Sequence, residues 1–215
     1  MKFKILIPVY NDWQSLSELL DNIDYNLSGV QHEISIVIVN DASNHDRKEE
    51  NKTFENIFSI KILNMKINQG HARCIATGLK YIYEKEDFDY VIPMDGDGED
   101  RPEEIKEFIS QIQNSNNLPL VGKRVKRSEG LFFKICYEFH KIITFTFTGK
   151  LINFGNFTCL SKTIVEKMIN EKATWNSFSG SLIKIEKDLF KISSYRGDRY
   201  FGPSKMSFMN LIKHS

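Results

Sequence analysis

The sequence offers little that could hold a fold together covalently. Among its 215 residues there are three cysteines, Cys74, Cys136 and Cys159, an odd set with no C-x-x-C spacing. Neither a disulfide scaffold nor a cysteine-bound zinc fits such a set, which suits a reducing compartment. Long apolar runs are also missing. No stretch approaches the roughly 20 apolar residues a membrane span needs. The opening MKFKILIPVYND has too short an apolar run for a signal peptide and reads as a strand. The chain is therefore expected not to cross a membrane by itself. Charge of one sign is absent too: 29 Lys and Arg face 28 Asp and Glu, a formal +1. A dedicated nucleic-acid binder carries a large basic excess, so nucleic acid is not an expected partner. There is no internal repeat, low-complexity tract or evident linker.

What is present suits one large domain. Apolar residues make up 41% of the chain, enough for a core, and the 27% that are charged keep the surface solvated. The charges are sorted along the chain. Residues 86–104 hold nine acids and one base, Arg101, whereas residues 121–150 hold seven Lys or Arg and two Glu. An acidic stretch followed by a basic one suggests a cation site beside an anion site.

Apolar periodicity gives the architecture. Residues 3–9 form a short Ile- and Val-rich run, the pattern of a strand buried on both faces. Leu16, Leu19, Leu20 and Ile23 then fall on one face of a helix. A second strand over 34–39 ends in Asn40-Asp41-Ala42-Ser43, a turn-forming cluster, and a weaker third strand covers 59–63. Gly70 opens a helix with an apolar face of Ala72, Ile75, Ala76, Leu79 and Ile82. A fourth strand over 90–94 runs into DGDGED. Pro102 occupies an expected first helical position, ahead of Ile105, Phe108, Ile109 and Ile112. A fifth strand is expected over 118–121. Strand alternating with helix predicts an α/β fold, a Rossmann-like and mostly parallel sheet with helices on both faces. Such sheets bind ligands beyond the carboxyl ends of their strands, where Tyr10-Asn11-Asp12, Asn40-Asp41, Asn68-Gln69-Gly70 and Asp95-Gly96-Asp97 all fall. The pattern divides into a ligand-binding half, 1–122, and a less regular half, 123–215, within one domain. In the latter, residues 131–147 hold eleven apolar or aromatic residues in seventeen, next to Lys123, Arg124, Lys126 and Arg127. A helix of that character can lie in a membrane interface.

The chemistry centres on Asp95 and Asp97. Two carboxylates one residue apart after a buried strand can turn oxygens toward one hard cation, Mg²⁺ or Mn²⁺, which bridges carboxylates to phosphates. In isolation an acidic, solvated turn has the same letters. The preceding strand, Glu99 two residues on and the helix started by Pro102 favour function. His71 falls near the start of a glycine-led helix, where a phosphate approach and a plain surface role are both open. His140 sits within the aromatic stripe, and the cysteines read as small core residues.

In their order and spacing, IPVYND, VNDAS, NQGHARCIATGL, MDGDGEDRPEE and RYFGPSK resemble the family 2 glycosyltransferases of the GT-A fold. The likeness is greatest to the polyprenyl- and dolichyl-phosphate sugar synthases, and it covers almost the whole chain. It implies a hexosyltransferase using a UDP- or GDP-linked nucleotide sugar with Mg²⁺ or Mn²⁺, and a role in cell-envelope polysaccharide. By position, Pro8, Tyr10 and Asp12 resemble the first donor-binding loop, and Val39 and Asp41 the pair that holds the nucleoside. Asp95, Gly96, Asp97 and Glu99 match the family's DADxQ, which implies diphosphate contacts and a metal held by Asp95, Asp97 and Glu99. Arg124 resembles an arginine near the acceptor phosphate, and Arg199 and Lys205 resemble basic residues of a late loop. With Arg127 these form the implied phosphate-binding set, and Asp95, Asp97 and Arg124 the implied catalytic set. The chain departs from the family at Asn40-Asp41-Ala42-Ser43, at Glu99, and at Asn156-Phe157-Thr158, where relatives carry Asp-Phe-Arg.

The acceptor class follows from acid–base chemistry. A phosphate monoester is already anionic near neutral pH, its second pKa being about 6, so it needs positioning rather than a base. A hydroxyl acceptor needs a carboxylate base, and no convincing one stands out. A polyprenyl phosphate acceptor with inversion at the anomeric carbon is therefore expected, at the cytoplasmic face of a membrane that the protein touches peripherally. Transfer to a saccharide hydroxyl and an inactive nucleotide-sugar-binding module are the alternatives. Nucleotidyl transfer lacks its glycine-rich N-terminal loop.

Overall fold

The computed structural model describes residues 1–45, 52–125 and 153–202. Lys126, Arg127, residues 131–147 with Cys136 and His140, and Lys205 lie outside them. Among the described residues seven strands form one sheet: β1 (Lys2–Val9), β2 (Glu33–Asn40), β3 (Ser59–Asn64), β4 (Tyr90–Pro93), β5 (Leu120–Arg124), β6 (Phe154–Ser161) and β7 (Phe190–Ser194). Their spatial order is β3-β2-β1-β4-β6-β5-β7. β1 pairs in parallel with β2 and with β4, β2 with β3, and β5 with β7. Only β6 runs against its neighbours, β4 and β5. The chain leaves β1 toward β2 and returns on its other side at β4, so the strand order reverses between β1 and β4.

β1 is buried on both faces because helices cover both. Phe3, Ile5, Ile7 and Val9 share one core with Leu16, Leu19, Leu20 and Ile23 of α1 (Trp13–Asn26) and with Ile105 and Phe108 of α3 (Glu104–Gln111). Leu6 joins the opposite core, with Cys74, Ile75, Leu79 and Ile82 of α2 (His71–Lys85). α2 comes close to β1 at Gly78, where a Cβ would run into the Leu6 side chain. Cys74 and Cys159 are buried, free thiols in these cores.

The second half is more regular than its pattern suggests. β6 and β7 join the sheet, and α4 (Lys162–Asn170) and α5 (Phe178–Ile185) cover the second core with Ile164, Val165, Met168 and Leu182. Two boundaries differ from expectation. α3 begins at Glu104 rather than Pro102, because Glu104 N and Ile105 N first donate to Arg101 O and Pro102 O in a tighter turn. β5 covers 120–124 because Leu118 N is still bonded to Ser115 O, and Asn116 and Asn117 turn the chain through positive φ of 50° and 64°.

Candidate active site

Three loops meet beyond the carboxyl ends of β1, β2 and β4. After β1, Asn11 takes a positive φ of 52° and ties its loop to the next. Its N–H donates to Ser43 Oγ, and its Oδ1 accepts from Asn44 N. Asp12 then precedes α1 and accepts from Ser15 Oγ at 2.7 Å. After β2, Asp41 is buried and its two carboxylate oxygens accept the amides of Gln69 (2.7 Å) and Gly70 (2.8 Å). It thereby fixes the loop that leads into α2. After β4, the DGDGED loop folds around Asp100, whose Oδ2 accepts the amide of Asp95 at 2.8 Å.

A fourth segment closes the site. Residues 195–202, following β7, lie along the acidic loop, with Gly197 N donating to Glu99 O and Tyr200 N to Asp97 O. Gly98, at φ +90°, lets the Tyr200 ring sit directly against it. This strap brings two arginines onto the acids. Arg199 donates to Asp97 Oδ2 at 2.6 Å and to Asp12 Oδ2, and Arg196 pairs with Glu99.

On the other side of the loop, His71 Nε2 lies 3.2 Å from Asp95 Oδ1 and 2.6 Å from Asn156 Nδ2 of β6. Burial alone would lower the His71 pKa, but the Asp95 carboxylate outweighs it and holds the imidazole above its ordinary value. Burial opposes ionisation of Asp95 as well. His71, and then Arg124 and Arg196, overcome it and hold this carboxyl well below the usual range. Asp97 is raised by burial and by the charge of Asp95, with Arg199 and Arg196 pulling the other way.

These loops enclose a cleft of about 710 Å³, a size that suits a small-molecule ligand. Pro8, Tyr10, Asp12, Asp41, Asp95, Gly96, Asp97, Glu99 and Arg199 all line it. Val39 does not: its side chain is fully buried in the α2-side core. Arg124 ends β5 with its guanidinium against Gly155, beside the cleft rather than in its lining. Arg127 and Lys205 lie outside the described residues.

The Glycosyl transferase family 2 model matches residues 4–175, most of the chain. This chain belongs to glycosyl transferase family 2. Two curated relatives of this chain, from Proteus mirabilis and Klebsiella pneumoniae, are each an undecaprenyl-phosphate 4-deoxy-4-formamido-L-arabinose transferase. Each is 26% identical to it over 98% of this chain, which spans 64% of their length. Among solved structures, S. aureus TarS 1-349 in complex with UDP-GlcNAc is similar with a TM-score of 0.60. It is 16% identical, over 94% of this chain and 60% of that one. Glucosyl-3-phosphoglycerate synthase from Mycobacterium tuberculosis, in complex with Mn²⁺, UDP and glucosyl-3-phosphoglycerate, has a TM-score of 0.61 and 11% identity. That match covers 99% of this chain and 79% of the other. At these identities the structural matches establish the fold, which is GT-A.

The residues of the cleft suit a hard cation. Asp95 Oδ1 is a buried carboxylate oxygen without a hydrogen-bond partner, although His71 stands nearby. Among the described residues no three His, Cys, Asp or Glu converge as a complete ligand set. A cation here would take oxygens from Asp95 and Asp97 and complete its shell from phosphate and water, as Mg²⁺ commonly does. Glu99 points to Arg196 instead.

Sequence reasoning missed several lining residues: Arg196, Asn156, and Asn176, Ser177 and Ser179 around the start of α5. Arg196 had a signal, standing three residues before Arg199 in the same loop. Asn156 was noticed only as a departure from the family, and the residues around α5 carry no motif.

Proposed function

We propose that this glycosyltransferase moves a sugar from a UDP- or GDP-linked donor to a polyprenyl phosphate, inverting the anomeric centre and using Mg²⁺ or Mn²⁺. One observation carries the choice of acceptor. Every carboxylate among the described lining residues already faces a cation or a backbone amide. Asp12 and Asp97 face Arg199, Glu99 faces Arg196, Asp95 faces His71, and Asp41 holds the Gln69 and Gly70 amides. None stands free to deprotonate a hydroxyl, whereas a phosphate acceptor arrives already ionised. The names of the two bacterial relatives support the same reading.

Asp41 and Tyr10 take the nucleoside between the ends of β1 and β2, with Val39 acting from the core to seat Asp41. Asp95 and Asp97 would hold the cation, which when bound would neutralise charge developing on the departing diphosphate. Arg196 and Arg199 reach the phosphates from the strap, and Arg124, with Arg127 and Lys205, steadies the acceptor phosphate. Rate then comes from positioning and charge stabilisation rather than from proton transfer.

Among the described residues no helix is long and apolar enough to cross a membrane. Peripheral contact with the cytoplasmic face is supported by Lys123 and Arg124 at the end of β5. Val125 (39% exposed) and Tyr195 (55%) lie next to them. Basic residues near an anionic surface contribute about 1 kcal/mol each. Co-sedimentation with anionic vesicles that falls with salt is the expected result.

The deciding experiment supplies labelled UDP- and GDP-sugars with polyprenyl phosphate, Mg²⁺ and Mn²⁺. Label moving into the organic phase is expected. Label transferred only to added saccharide, or nucleotide bound without any transfer, would overturn the proposal.

A further inference from the structure

We infer that Arg199 reserves the cation position, occupying Asp97 in the donor-free protein and yielding it only when a cation arrives together with a nucleoside diphosphate. Cation and nucleotide then bind as a coupled pair. The inference rests on the reading of Asp95 and Asp97 as the cation's ligands.

The geometry is that of a guanidinium fully engaged by protein. Nη1 donates to Asp97 Oδ2 at 2.6 Å, Nη2 to Asp12 Oδ2, and Nε to Phe201 O at 3.2 Å. The side chain is 17% exposed, and those of Asp12 and Asp97 are 14% and 18% exposed. A bridge so sheltered is poorly screened by water, and planar guanidinium matches two carboxylates better than an ammonium would.

A divalent ion arriving alone must take Asp97 from this fork and leave a positive nitrogen beside it. Nothing among the described contacts offers that nitrogen another anion. A nucleoside diphosphate does, since its phosphate oxygens accept from arginine in the same forked way. The change needs no refolding of the strap. Its main chain is pinned independently, by Gly197 N to Glu99 O at 2.8 Å and Tyr200 N to Asp97 O at 2.9 Å. Arg199 can therefore keep Asp12 and release Asp97 by turning its side chain. Asp95 Oδ1, buried with His71 Nε2 3.2 Å away, lies outside the arginine fork and is not held by it.

Removing the guanidinium leaves Asp12 and Asp97 facing each other without the arginine they share, a pair that attracts a cation. The test is direct Mn²⁺ binding, by electron paramagnetic resonance or calorimetry, with and without UDP or GDP. Wild type should bind free Mn²⁺ weakly and gain at least about tenfold with nucleotide, within the usual range of coupling between two sites. Arg199→Ala should bind free Mn²⁺ about tenfold tighter than wild type and lose most of that gain. Arg199→Lys keeps the charge but cannot form the whole fork, so it should shift in the same direction by less. It also serves if the alanine variant does not fold. Wild type binding Mn²⁺ equally well without nucleotide, or neither variant tightening on free Mn²⁺, would overturn the inference alone. No Mn²⁺ binding by any of the three with nucleotide present would overturn the ligand assignment of Asp95 and Asp97, and the inference with it.

Discussion

The amide of Asp95 donates to the carboxyl of Asp100 at 2.8 Å, so the acidic loop is folded around one of its own acids. Burial pushes the Asp100 pKa up to about 8, the charge of Asp95 adding to it while the backbone bond and Arg124 oppose it. The loop thus separates its acids by environment. His71 holds Asp95 toward its ionised form, whereas burial and the Asp95 charge hold Asp100 toward its protonated form.

That separation has a stability consequence. Between the ordinary carboxyl value of 3.8 and about 8, folded Asp100 keeps a proton that the unfolded chain gives up. Its contribution is complete below the unfolded value and is lost as pH rises through the folded one. Asp100→Asn keeps an oxygen for the Asp95 amide and cannot ionise. In metal-free buffer its Tm relative to wild type should rise by roughly 5–10 °C between about pH 6 and about pH 9, equivalent to about 2–3 kcal/mol, from about two pH units of linkage at about 1.4 kcal/mol each. Thermal melts at both values check it. An offset that does not change with pH removes the argument.

Much of the fold was legible because a parallel sheet with helices on both faces imposes strong patterns. Residues 3–9 read as a continuous apolar run because both faces of β1 are covered, and Leu16, Leu19, Leu20 and Ile23 read as a stripe because α1 buries one face. β6 escaped because Phe154, Gly155, Asn156 and Phe157 mix cleft-lining and core roles in one strand, which breaks any period. The loops after β1, β2 and β4 announced the cleft through motifs. Resemblance set Arg199 in a late phosphate-binding loop, but the strap's pairing with the acidic loop did not show, since Arg196 and Arg199 meet acids about a hundred residues away in sequence, and periodicity carries no such pairing.

Asp97 is the acid on which the cation reading depends most. Asp97→Ala should leave the fold intact, because Arg199 keeps Asp12 as a partner. It should cost at least about tenfold in Mn²⁺-dependent nucleotide affinity, about 1.4 kcal/mol. Calorimetric titration of UDP and GDP with Mn²⁺ measures this. Transfer that continues undiminished in excess EDTA would sink the metal reading.

Asp41 has a structural duty and, as proposed, a nucleoside-binding one, and one variant can separate them. Its carboxylate holds the Gln69 and Gly70 amides from a buried position, so Asp41→Ala leaves two donors unpaired. A stability loss of roughly 2–4 kcal/mol is expected, since hydrogen bonds to charged groups are each worth about 1.5–3 kcal/mol. Nucleotide affinity, measured well below the variant's Tm, should fall as well. A variant that loses stability but binds nucleotide like wild type would confine Asp41 to a structural role.

The strap's seat is tested at Gly98. Its φ of +90° is one that side chains rarely adopt, and a Cβ there would fall 2.5 Å from Tyr200 Cε2. Gly98→Ala therefore combines backbone strain with displacement of the ring that anchors the strap, and should destabilise by roughly 1–3 kcal/mol. Tyr200→Ala alone loses the ring's packing on the α1-side core and its contact with Asn22 Nδ2. With the ring gone, the three atoms nearest the added methyl group are gone too, and the backbone strain remains. The double variant should accordingly lose less stability than the sum of the single losses, by at least about 0.5 kcal/mol, the lower end of what contacting residues show. Urea denaturation of the three variants and wild type closes the cycle. Strict additivity would mean that Gly98 and Tyr200 are not in contact in solution, and that the strap does not rest on the acidic loop.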